Sequence, residues 1–261
     1  MFIFGYAEEG KKFSEKYSAF LEILPKLIDT VNKVCTREFE TRKIADHIVY
    51  YLGRICAEED FCEILLMCQN GFGFGGLKLL RGFYERIVTM AYISKNPEEA
   101  EAFIGYNAIN RWKEVCHAET ARVDIGKFKS DVDNIKKQYK LVKNKYPKKS
   151  WSSLDIPAMA LKSDREILPA LYYVCYFKPT MHVHTTLYSI LDRLNVGGDS
   201  GASYVISDKS AQREMVDTVL RNTHVLMLIN LDIQNAFFAL SLDDELTARV
   251  EDFMVCWGAS C

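Results

Sequence analysis

Two of the chain's five histidines stand one residue apart in "MHVHTT" (181–186), ringed by hydroxyls and aromatics. Such a pair could ligate a metal, supply a catalytic base, or pack in a core. Pro179 suits the first turn of a helix, so "PTMHVHTTLYSILDRL" is predicted to begin one there. Helix positions two apart point about 200° away from each other, so the two rings cannot share one metal unless the segment is extended. On this phase His184 joins the apolar stripe of Phe177, Met181, Tyr188 and Leu191 and points inward. His182 shares the outward side with Thr185, Thr186 and Ser189.

The second group is Arg81 and Glu85, four apart in "GLKLLRGFYERIVTMAYI" (76–93), a segment apolar almost all the way round and so expected inside the molecule. Buried polar groups must find partners. Arg81, Glu85 and His184 are therefore expected in one cluster, with side chains about 3–7 Å apart. They form either a core polar network or a catalytic set. In the latter Arg81 binds a phosphate or nucleotide-like anion, Glu85 acts as base or ligand, and His184 is the acid/base.

Other spacings carry less. "NGFGFGG" (70–76) contains GxGxxG, but no βαβ alternation surrounds it, and close helix packing or a break between helices is the simpler reading. Glu114 and His117 have the Glu-x-x-His spacing of helix-bundle di-iron sites, which needs a second such pair, and the chain has none. No metal or cofactor is therefore expected. Nine lysines lie between Lys127 and Lys149. Lys136, Lys137, Lys140, Lys143, Lys148 and Lys149, interleaved with Tyr139, Tyr146 and Trp151, read either as a solvated face or as a nucleic-acid surface with stacking platforms. GxSxG, P-loop and HExxH motifs are absent. Helical toxin ribonucleases carry Arg-x4–6-His in a late helix, and Arg221-x-x-His224 is too short for that pattern.

The elements that must position these residues are helices. Periodicity of 3.6 runs through 13–31 and 42–55, and further helices are expected over 59–94, 98–121, 128–145, 165–177, 180–194, 208–240 and 244–257. Asn96 is the expected N-cap of the segment that follows Pro97. Two segments, 144–157 and the glycine-bearing 195–208, are expected to be irregular. The prediction is an all-α, single-domain bundle of about eight to eleven helices. It has N-terminal helices over 1–58, a central body over 66–230 and a C-terminal helix over 244–257.

Apolar residues make up 49% and charged residues 26% of 261, with a net charge of −2, which gives no global pull towards nucleic acid or anionic lipid. Eight cysteines at unrelated spacings include no CxxC, so free thiols in a reducing compartment are expected. The opening "MFIFGYAEEGKKF" does not read as a secretory signal, and the longest uncharged apolar run is too short to span a bilayer. A cytoplasmic protein without a membrane partner is expected. RNA or a nucleotide-like anion, and a second copy of the chain, stay open as partners.

The block "LLRGFYERIVTMAYISKNPEEAEAFIGY", with "YYVCYFKPTMHVHTT" downstream, resembles a bacterial all-helical family, domain-of-unknown-function 5677. The matching positions are Arg81, Glu85, Tyr92, Phe103, Tyr106, Thr180 and His184. The resemblance implies an all-α fold, a bacterial source and convergence of these residues in space. Two functions follow as expectations: a binding or regulatory protein with a buried Arg-Glu-His cluster, or a metal-independent nuclease or nucleotide-processing enzyme of the toxin or phage-defence type.

Overall fold

The computed structural model describes residues 7–39, 43–124, 129–146, 150–184, 186–191, 194–196, 204–206 and 210–258. Helices α1 (Ala7–Lys16) and α2 (Ser18–Cys35) are followed by α3 (Ile44–Ile55), which passes through a π-helical turn (Cys56–Phe61) into α4 (Cys62–Gln69). The long α5 (Gly73–Lys95) leads by a 3-10 turn to α6 (Ala100–Gly105), α7 (Asn107–Thr120) and α8 (Lys129–Val142). Next come α9 (Ile156–Leu161), α10 (Ile167–Tyr172), a second π turn (Tyr173–Phe177), α11 (Lys178–Val183) and α12 (Leu187–Leu191). Strands β1 (Leu194–Val196) and β2 (Tyr204–Ile206) pair antiparallel, Leu194 opposite Ile206, before α13 (Ser210–Phe238) and α14 (Asp243–Trp257). The fold is all-α, with helices making up 83% of it. The hairpin is a correction to the 195–208 segment read as wholly irregular.

α5 and α13 form the centre, and α5 has buried side chains from Phe74 to Ile93. Glycine lets the two backbones approach. A Cβ on Gly73 would run into the Gln212 carbonyl and the Val216 nitrogen of α13, and one on Gly76 would lie 2.9 Å from Val219 Cγ1. The glycine run thus serves packing, and helix α4 precedes it where a dinucleotide fold would have a strand. The helix expected over 59–94 is interrupted at Gly71, whose φ of 74° ends α4, so the glycine run is also the break between helices that its spacing allowed. Asn96 stands at the N-cap of the 3-10 turn that Pro97 opens, as expected, but its side chain makes no cap bond there, and its Nδ2 donates to Tyr92 O at 2.9 Å at the end of α5.

No helix starts at Pro179. The chain is helical without a break from Ile167 to Val183, with Pro179 buried inside it. Proline in a helix lacks an N–H and crowds the carbonyl four residues back, here that of Cys175. Cys175 lies within the π turn, whose wider i→i+5 spacing accommodates the ring. That wider turn also moves the phase of everything after it.

Candidate functional site

The phase shift decides the histidines. His182 is buried, 4% exposed, with its ring 4.9 Å from that of Phe74. His184 is exposed at the end of α11, where the backbone has turned extended (φ −85°, ψ 150°). The expectation of an inward His184 and outward His182 is therefore reversed. The cause is a helix that began earlier than Pro179, contained a π turn and stopped one residue before His184.

Arg81 and Glu85 do come together, Nη2 to Oε2 at 3.6 Å, but half-exposed. The partner from the histidine segment is Thr180, not His184. Arg81 Nε donates to Thr180 Oγ1 at 3.0 Å and Nη2 donates to Tyr176 Oη at 3.2 Å, while its guanidinium lies 4.8 Å from the centre of the Tyr176 ring. Thr180 Oγ1 donates in turn to Tyr176 O, and His184 N donates to Thr180 O. Arg81 is thus held by the second π turn and the helix after it.

Beside this group is a cleft of about 950 Å³. Glu85, Arg86, Thr89 and Gly82 of α5 form one wall, Tyr176 another, and residues Ser150–Ile156 run along it with Phe103 and Met159. Trp151 is fixed edge-on against Phe103 at 5.3 Å and tilted against Tyr92 at 6.1 Å. Ser152 is buried and accepts from Leu154 N, and Asp155 caps α9 by accepting from Ala158 N at 3.0 Å. Two of the positions carrying the family resemblance, Tyr92 and Phe103, thus converge on one tryptophan.

The sequence reading missed Arg86 and Asp60. Arg86 Nη1 donates to both Asp60 oxygens, at 2.6 and 2.9 Å. Asp60 sits on the first π turn and is 6% exposed. Burial pushes its carboxyl up to about 6, an effect that outweighs the opposing pull of Arg86. Nothing in the local spacing marks this pair, since it joins two elements. The stretch "EEDFCEILLM" holds four acids, and nothing in it singles out Asp60. Both π turns therefore hold α5 arginines, Asp60 gripping Arg86 and Tyr176 gripping Arg81.

The basic segment forms a separate feature. α8 packs on α7 through Trp112 stacked on Tyr139 at 5.4 Å, with Lys136 Nζ 5.8 Å from the Trp112 ring centre. Tyr146 lies edge-on to Tyr106. The aromatics read as stacking platforms are engaged with other rings of the fold. Lys136, Lys137, Lys140 and Lys143 are exposed, and Lys148 and Lys149 lie outside the described residues. Among the described residues no group of three or more His, Cys, Asp or Glu stands close enough to hold a metal. The described cysteines are free thiols, and burial pushes Cys35, Cys68 and Cys175 up to about 12. No described helix is long and apolar enough to cross a membrane.

Comparison with curated proteins and with solved structures finds no match to this chain. The model of the family of unknown function DUF5677 matches residues 47–202, a span that contains every residue lining the cleft, Asp60 behind it, and the Arg81–Tyr176–Thr180 group. The chain belongs to that family.

Proposed function

We propose that the protein is a binding protein, suited to a sensing or regulatory role, whose cleft takes a small amphipathic molecule. The ligand has an aromatic or aliphatic body and hydroxyl or amide groups but no net charge at the contact. The observation that carries this is the pairing of charges beside the cleft. Arg81 meets Glu85, Arg86 meets Asp60, and Asp155 caps a helix. What remains for a ligand is Thr89, Ser150, Ser153 and the Tyr176 hydroxyl, set among Leu52, Phe103, Trp151 and Ile156. The volume is that of a small-molecule site, ~300–1,000 Å³.

Hydrolysis of a nucleotide-like anion at His184 draws less support, because Nε and Nη2 of Arg81 already serve Thr180, Tyr176 and Glu85. A thermal-shift panel of neutral nucleosides and aromatic amides beside the matching 5′-monophosphates tests the choice. Neutral members should raise the melting temperature, and Ser153→Trp, at an exposed rim position, should abolish the effect without altering the fold. Tyr176→Phe should weaken it. The enzymatic reading is favoured instead if only monophosphates act, through a site that Ser153→Trp blocks, and are turned over with loss in His184→Ala.

A further inference from the structure

A second cleft, of about 350 Å³, lies where the segment after α2 meets one face of α3. His47, Tyr50, Tyr51 and Arg54 line it at the i, i+3, i+4, i+7 spacing of a single helix face, opposite Thr36, Arg37, Glu38 and Phe39. One of its charges, Arg37, is not paired off among the described residues as those of the larger cleft are. Arg37 is held by its backbone, whose carbonyl accepts from Tyr50 Oη at 2.9 Å. Its guanidinium lies 4.8 Å from the Phe238 ring centre and 5.4 Å from that of Phe39. Nη1 and Nη2 are both buried with no acceptor among the described residues. A buried guanidinium without an anion is costly, and stacking on rings replaces only part of the lost hydration. Desolvation accordingly lowers the pKa of the Arg37 guanidinium from its usual value. Arg54 gives Nε to Glu58, while His47 and Tyr51 are exposed. The acid on the lining, Glu38, is exposed and makes no ion pair with Arg37 among the described residues.

We propose that this cleft binds an oxyanion of the phosphate type, with Arg37 turning its terminal nitrogens from the Phe238 ring to the cleft wall and Arg54 and His47 completing the site. Guanidinium nitrogens in a fork match two oxygens of such a group, and the exposed Tyr51 ring offers a face to an aromatic body attached to it. Arg37 lies outside the segment that defines the family and His47 to Arg54 at its start, so the site is assembled by this chain's N-terminal helices.

The test uses the full chain with inorganic phosphate at constant ionic strength, followed by calorimetry and by melting temperature, with chloride as the control ion. Phosphate should bind and raise the melting temperature where chloride does not. Arg37→Met keeps an apolar stem against the two rings and removes the donors. It should melt no lower than the wild type and lose the phosphate response. Arg54→Gln, at a partly exposed position, should weaken phosphate binding by about tenfold. Ser153→Trp should leave phosphate binding unchanged, which separates this site from the larger cleft. Absence of phosphate binding by the wild type, or a full response in Arg37→Met, overturns the proposal. Should Arg37→Met not fold, unchanged phosphate affinity in Arg54→Gln overturns it.

Discussion

Trp257 donates its indole N–H to His224 Nδ1 at 3.2 Å, a bond that exists only while that nitrogen is unprotonated. His224 is 1% exposed between the rings of Phe20 and Phe253, and burial lowers its pKa to about 4, with Asp252 pulling weakly the other way. The unfolded chain, with a histidine near 6.5, binds the proton more readily than the native state between those values. Stability from this residue is therefore full above about 6.5 and lost as pH falls towards about 4, a change of about 3 kcal/mol. Urea unfolding of His224→Gln against wild type across that window should show the gap in stability shrinking as pH falls. Parallel pH curves would remove His224 as the cause. The neighbouring pair in "MHVHTT" makes a second expectation. His182→Ala should cost about 1–3 kcal/mol, because it empties a buried position against Phe74, while His184→Ala should stay within about 0.5 kcal/mol. Equal losses would contradict the placement of the two rings.

At the scale of elements, the π turns carry the unusual electrostatics. A carboxyl raised to about 6 means that the native state holds its proton more tightly than the unfolded chain, whose ordinary value is 3.8. Asp60 thus costs stability increasingly as pH rises from about 4 to about 6. Asp60→Asn, which keeps an acceptor for Arg86 without the charge, should gain on the wild type over that range by up to about 3 kcal/mol. A constant difference between the two proteins from pH 4 to 7 would mean that Arg86 compensates the buried charge after all. The α5–α13 crossing yields a sharper contrast. Gly73→Ala drives a methyl into the backbone of α13 and should cost about 1–3 kcal/mol. The added methyl of Gly75→Ala meets the Met67 sulfur at 3.2 Å, a flexible neighbour, and helix propensity favours the change by about 1 kcal/mol. Melting temperatures should therefore move in opposite directions.

Over the whole molecule, the two clefts and the basic α7–α8 pair differ in how their charges are met. Around the large cleft they are paired, around the small one Arg37 has no acceptor among the described residues, and on α8 Lys136, Lys137 and Lys140 face solvent. Because Trp112, Tyr139 and Tyr146 are already packed, nucleic acid bound by α8 should be held by charge alone. The logarithm of affinity should fall linearly with that of salt, without base preference, and binding should vanish when Lys136, Lys137, Lys140 and Lys143 are replaced by Glu. Salt-resistant or base-selective binding would restore the stacking reading.

The helical class, the interior position of α5 and the meeting of Arg81 with Glu85 were legible in the chain, because each rests on the 3.6-residue repeat within one element. The site around them was not. Arg81 reaches Thr180 across 99 positions and Arg86 reaches Asp60 across 26, and no local pattern encodes such a partner. The two π turns are equally silent, since one carbonyl register more or less depends on what packs against the turn. That register, with the end of the helix at Val183, decided which of two histidines, one residue apart, is buried on Phe74 and which faces water. Local periodicity thus determined the helical class and most helical segments, while the π turns, the clefts and their charge balance arose only when distant elements closed on one another.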